Sequence, residues 1–116
     1  MPSEFSLKSE VQNDYLIITT FGYINNTGGE SILQEYHKHT RNGIQNIIIN
    51  LNDSKVVNSI GVSYLIEIIE NLNEVGGNLY FTNLDAAVEK TFSIMGLFNF
   101  AEKARSVDEV LKKLEI

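Results

Sequence analysis

The chain of 116 residues contains no cysteine, which excludes disulfides and thiolate metal sites and makes a reducing compartment the default. Long hydrophobic runs are missing too. The longest, Leu16-Ile17-Ile18 and Ile47-Ile48-Ile49, fall far short of the ~20 apolar residues that cross a bilayer. No charged start followed by an apolar stretch reads as a signal peptide, so a cytoplasmic location is expected. Lysine and arginine number 9 against 15 acids, a net charge of −6, and no basic cluster is strong enough to neutralise a run of phosphates. Neither nucleic acid nor a membrane is therefore an expected partner. The acidity favours solubility and suits a basic protein surface. What is present is 43% hydrophobic content spread along the whole length. That is too much for a disordered chain and enough for one core, so residues 1–116 read as a single domain.

The pattern predicts a strand near Phe5 to Val11, a turn at Asn13-Asp14 and a second strand over Tyr15 to Phe21, rich in β-branched and aromatic residues, joined as a hairpin. Gly22 breaks the run. Thr27-Gly28-Gly29-Glu30 reads as a capping box, followed by Ile32, Leu33, Tyr36 and Thr40 at helical spacing until Asn42-Gly43. Asn46 to Leu51 is a continuous apolar run of strand length, the pattern of a central strand covered on both faces. After it, Val62, Leu65, Ile66, Ile69, Leu72 and Val75 trace one helical stripe that Gly76-Gly77 stops. Leu79 to Thr82 is a further strand, and Val88, Thr91, Phe92 and Met95 form a third helical face closed by Gly96. An extended piece over Phe98 to Ala104 leads to a second capping box, Ser106-Val107-Asp108-Glu109, and a terminal helix with Val110, Leu111 and Leu114 inward. The fold class is thus α/β: a mixed sheet of about four to five strands, an antiparallel hairpin followed by β-α-β-α alternation, with about four helices packed on it. Oligomeric state stays open, because the sheet edge near the hairpin can pair or be capped.

Enzymatic constellations are poorly supported. His37 and His39 lie two apart on a helix and point in different directions, and no acidic cluster accompanies them as metal ligands. Gly28-Gly29 lacks the glycine framework and lysine of a phosphate loop. No Gly-x-Ser-x-Gly elbow occurs. The segment that stands out is Asn58-Ser59-Ile60-Gly61, where apolar chemistry gives way to a polar pair and then to the main helix. Asn58 or Ser59 serves there as an N-cap worth ~1 kcal/mol, and the pattern needs nothing more. A phosphate on Ser59 would nevertheless meet unpaired backbone amides and the positive end of the helix dipole, adding about −1.5 to −2 charges. On the exposed side of the same helix Glu67, Glu70 and Glu74 stand at i, i+3 and i+7, an acidic stripe that is a solvated face or a surface for a basic partner.

These segments, in order and spacing, resemble a STAS domain, the fold of the bacterial anti-sigma-factor antagonists. Those proteins carry an apolar strand ending in a Leu-Asp-Leu-Ser-like segment, then a spacer, then Asp-Ser-Ser-Gly or a close variant opening a helix. Ile49-Asn50-Leu51-Asn52 and Asn58-Ser59-Ile60-Gly61 stand at the corresponding places, and Val88 to Phe98 and Ser106 to Val110 resemble the family's end. The resemblance implies a partner-switching regulator rather than an enzyme. It binds an anti-sigma factor serine kinase, is released by phosphorylation on the motif serine, here Ser59, and is restored by a serine phosphatase. The ATP belongs to the kinase, so no cofactor is implied. The implied docking surface is Asn58, Ser59, Ile60, Gly61, Ser63 and the Glu67, Glu70, Glu74 face, with Ser63 and Thr91 as secondary phospho-acceptors. Where the family often has aspartate this chain has Asn50 and Asn58, which keeps the hydrogen bonding and removes the charge. Other STAS domains act as scaffolds or bind small ligands, so the alternative is an unphosphorylated module with a partner or a small anion at the same helix N-terminus.

Overall fold

A computed structural model describes residues 4–113. Strand β1 (Ser6–Gln12) and β2 (Tyr15–Phe21) form the expected hairpin. Its two-residue turn has Asn13 and Asp14 both at positive φ, 51° and 68°, the type I′ geometry that short polar side chains tolerate and that matches the strand twist. Helix α1 (Asn26–Thr40) carries the chain to β3 (Asn46–Asp53), parallel to β2. Helix α2 (Ser59–Val75) crosses to β4 (Asn78–Thr82), and α3 (Ala86–Ile94) with a 3₁₀ turn over Leu97–Asn99 leads to the short β5 (Glu102–Ala104). Helix α4 (Val107–Lys113) follows. The sheet order is β1-β2-β3-β4-β5, mixed at the hairpin and parallel beyond it, so β3 is central as its apolar run requires.

Alternation in the strands divides the core between two unequal faces. Leu16, Ile18, Ile47, Ile49, Leu79 and Phe81 meet α1, α2 and α3 on one side, while Tyr15, Ile17, Ile48 and Tyr80 on the other are met by Val110 of α4. Phe81 and Phe92 pack with ring centroids 4.9 Å apart, tying α3 to β4.

Several expected details differ. The cap of α1 is Asn25, whose Oδ1 accepts from Gly28 N at 3.0 Å, so the helix starts at Asn26 and the Thr27–Glu30 box does not form. Glu30 Oε1 accepts instead from Gln34 Nε2 at 3.3 Å. The reason lies in packing: a Cβ at Gly29 would stand 2.7 Å from the Gly61 carbonyl oxygen, so Gly29 belongs inside the helix at a crossing with α2. On α2 the stripe is wider than its periodicity indicated. Ile68 is fully buried, whereas Val75, in the last turn, is 54% exposed. Met95 follows α3 as its C-cap and faces solvent. Phe98 lies in the 3₁₀ turn rather than in a strand. In the second box Ser106 Oγ accepts from Glu109 N at 3.1 Å, but Glu109 reaches back to Arg105 N rather than to the cap's own amide. Leu114 lies outside the described residues.

Candidate functional site

The β3–α2 connection is stitched by backbone bonds to the segment that precedes α1. Gly22 N donates to Asp53 O at 2.9 Å, Ile24 N to Val56 O at 3.0 Å and Asn58 N to Ile24 O at 3.1 Å. Val57 forms an isolated parallel bridge with Ile24 and is not part of β3. Beneath this seam the Thr20 and Ser54 hydroxyls lie 2.7 Å apart, and both residues are fully buried. Each satisfies the other in a place closed to solvent, where a lone hydroxyl would cost ~1–3 kcal/mol. Asn50 Oδ1 accepts from Asn52 N at 3.0 Å, closing a local turn at the strand end.

Of the two cap candidates, the structure uses Asn58. Its backbone is extended, its Oδ1 accepts from Gly61 N at 2.8 Å, and its carbonyl accepts from Val62 N at 3.0 Å. Ser59 is thereby left as the first residue of α2 with an exposed side chain, and the amides of Ser59 and Ile60 precede the start of the i to i−4 ladder. Gly61 is held by contact: a Cβ there would lie 2.2 Å from Ile24 O. Tyr64 Oη donates to Asn26 Oδ1 at 3.1 Å, fastening the first turns of α1 and α2 together.

Ser63 is exposed and donates its hydroxyl to Ile60 O. Glu67, Glu70 and Glu74 are exposed as well. At ~100° per residue, positions 59, 63, 67, 70 and 74 fall within about 80° of arc. The two serines and three acids therefore share one strip of α2. Glu67 lies ~12 Å along the axis from Ser59, beyond the ~8–10 Å over which exposed charges act at ordinary salt. Flanking the serine, Ile60 is 54% and Val56 57% exposed, so the helix start presents apolar surface around a hydroxyl.

The histidines stand elsewhere. His39 Nε2 lies 3.0 Å from Glu35 Oε2, the carboxylate to which Ser9 Oγ donates, and His37 is exposed beside the Tyr36 ring. The Ser9 hydroxyl foremost, helped by His39 and Lys38, holds the Glu35 carboxyl below its usual range against the opposing pull of partial burial. Among the described residues no group of three or more His, Cys, Asp or Glu side chains is placed to hold a metal. No helix among them is long and apolar enough to cross a membrane. A cleft of about 460 Å³ opens at the C-terminal ends of β4 and β5, lined in part by Asn83, Lys103 and Arg105 and by none of Asn58 to Gly61. Glu89 and Glu109 line the same cleft, so its wall carries both signs of charge.

Sequence reading missed the Thr20–Ser54 pair and the Gly22–Asn26 strap. Ser54 and the strap lie in segments without periodicity, and the pairings span some thirty residues of chain.

A five-stranded sheet of this order, with its helices split between the two faces and an exposed serine opening α2, defines a class of small α/β folds. The STAS domain family matches residues 6–110, and the chain belongs to that family. Its fold is shared with solved structures at low identity. An anti-sigma factor antagonist from Mycobacterium paratuberculosis is 15% identical, with 97% of this chain and 96% of that one covered and a TM-score of 0.83. A serine-to-glutamate variant of RsbS from Moorella thermoacetica is 22% identical over 94% of each chain, with a TM-score of 0.79. The Bacillus cell-fate determinant SpoIIAA in its phosphorylated form is 22% identical over 96% of this chain and 99% of that one, with a TM-score of 0.73.

Proposed function

We propose that this protein is a cytoplasmic anti-sigma-factor antagonist that binds an anti-sigma serine kinase in its unphosphorylated form and is released when the kinase phosphorylates Ser59. One observation carries the reading: the Ser59 hydroxyl opens α2 on an exposed residue and is relieved of the capping duty by Asn58, at the position where the sequence resembles the family's motif serine. Capping by Asn58 frees Ser59 Oγ for transfer of a phosphoryl group without loss of the helix end. The added phosphate gains ~0.3–1 kcal/mol from the positive helix terminus. The same charge, next in the chain to the exposed Ile60, adds a desolvation cost to any partner surface that packs on the α2 start. The chain is then a substrate and a switch, not an enzyme, and a serine phosphatase resets it. The Glu67, Glu70 and Glu74 strip supplies complementarity for a basic partner surface.

Incubating the protein with its kinase and ATP and mapping the product by mass spectrometry tests this directly. The expected result is one phosphate on Ser59, lost in Ser59→Ala, and kinase binding weakened at least tenfold by Ser59→Asp. A kinase complex indifferent to Ser59→Asp, with no modification at Ser59, removes the switch and leaves the scaffold alternative.

A further inference from the structure

Strand β1 forms one edge of the sheet, and alternate residues of an edge strand turn their N–H and C=O groups away from the one neighbour they have. Its seven residues, Ser6-Leu7-Lys8-Ser9-Glu10-Val11-Gln12, pair with β2 without a bulge and include no proline. The usual devices that spoil an edge are thus reduced to its two charges. Those charges are self-complementary. When a second copy of β1 runs antiparallel about Ser9, Lys8 stands opposite the copy's Glu10 and Leu7 opposite the copy's Val11, each pair occurring twice.

The pairs also sort by face. Leu7, Ser9 and Val11 register with Thr20, Ile18 and Leu16 on the α1 side of the sheet, and Lys8 and Glu10 with Thr19 and Ile17 on the other. On that second side Lys8, Glu10, Ile17 and Thr19, with Ser9 between the two charges in the chain, line an open groove of about 250 Å³. Lys8 and Glu10 are exposed, and neither belongs to an ion pair among the described residues. Val11 is 50% exposed. A slip of one pairing step either way sets Lys8 against Lys8 or Glu10 against Glu10, and parallel pairing in register sets like on like along the whole strand. One register alone matches charge with charge and apolar with apolar.

We infer that the protein forms a two-fold symmetric dimer through β1, which joins two five-stranded sheets into one. The interface is isologous, and its existence does not depend on the phosphoswitch.

Sedimentation equilibrium of the full chain over a concentration series measures it. The wild type is expected to approach twice the chain mass, while Lys8→Glu and Glu10→Lys each weaken association by roughly tenfold or more, because either change turns two attractive pairs into two repulsive ones. The double exchange Lys8→Glu/Glu10→Lys restores the dimer. Mixing the two single variants forms a dimer with one chain of each, since an all-acidic edge then meets an all-basic one. Circular dichroism of each single variant confirms the native fold. A wild type that stays monomeric throughout overturns the inference, and so does a dimer that the single changes leave intact or that the double exchange and the mixture fail to restore.

Discussion

Replacing Gly61 by alanine tests whether the start of α2 is set by contact or by helix propensity. Gly61 is helical, so propensity alone favours alanine by about 1 kcal/mol. Against this, the new Cβ would lie 2.2 Å from Ile24 O, 2.8 Å from Ile24 C and 2.9 Å from Asn25 O. All three are backbone atoms, which cannot swing away as a side-chain tip does. Restoring an ordinary contact, which begins near 3.4 Å, moves the two backbones apart by about 1 Å. That displacement stretches the Asn58 N to Ile24 O and Ile24 N to Val56 O bonds, each worth ~0.5–1.5 kcal/mol, on top of ~1–3 kcal/mol of overpacking. The net expected loss is ~2–4 kcal/mol, a fall of roughly 10 °C in thermal midpoint for a domain of this size. Urea unfolding followed by circular dichroism gives the value, with an unchanged slope showing that the two-state reference is intact. Gly43→Ala is the control: its φ is +86° with nothing within 4 Å of the added carbon, so it carries only the left-handed backbone penalty of ~1–2 kcal/mol. Gly61→Ala as stable as the wild type, or less damaging than Gly43→Ala, refutes the close-approach argument.

Asn58→Ala removes the bond to Gly61 N and is expected to cost ~1 kcal/mol, whereas Asn58→Asp keeps the acceptor and adds a favourable charge; thermal midpoints should rank Asp at or above Asn, and both above Ala. Ser54→Ala leaves the buried Thr20 hydroxyl only its long 3.5 Å bond to Asn50 O and should cost ~1–2 kcal/mol, part of it recovered when Thr20→Val is added. Strict additivity in that double-mutant cycle counts against the pair. Glu35, with its folded carboxyl held below the usual range, contributes stability that is present above the ordinary carboxylate value and is lost as pH falls through the folded one. As pH falls below the ordinary carboxylate range the wild type should therefore lose more stability than Glu35→Gln, and equal losses in acid unfolding curves would deny Glu35 that role.

The elements themselves were legible because each carries its own period. Asn46 to Leu51 announced a strand covered on both faces, and Val62, Leu65, Ile69 and Leu72 announced the face of α2 that is in fact buried. Asn13-Asp14 and Gly76 marked turns through backbone preferences that act locally. The place of Ser59 at the start of α2 was legible too, because a polar pair at the head of an apolar helix is a local signal. What stayed hidden depends on partners remote in the chain. Gly28-Gly29 suggested a helix start, and only the fold shows that their smallness serves contact, Gly29 with Gly61 and Gly28 with Phe5 and the Tyr23 carbonyl. Asn25 carries the same capping chemistry as Thr27, and packing chose between them. Ser54 and Thr20 look like ordinary loop and strand polar residues until the fold buries them together.

The unequal cover of the sheet bears on how the molecule breathes. Among the described residues one face is held by three helices and the other by seven residues of α4, with Val110 as its fully seated side chain. Local opening follows the weakest cover, so amide protons of α4 and of the three-residue β5 should exchange with solvent well before those of α2 and β3. The seam that holds Ser59 lies on the slow side of that division. The C-terminal helix can lift and reseat, briefly wetting Tyr15 and Tyr80, while the head of α2 keeps its shape.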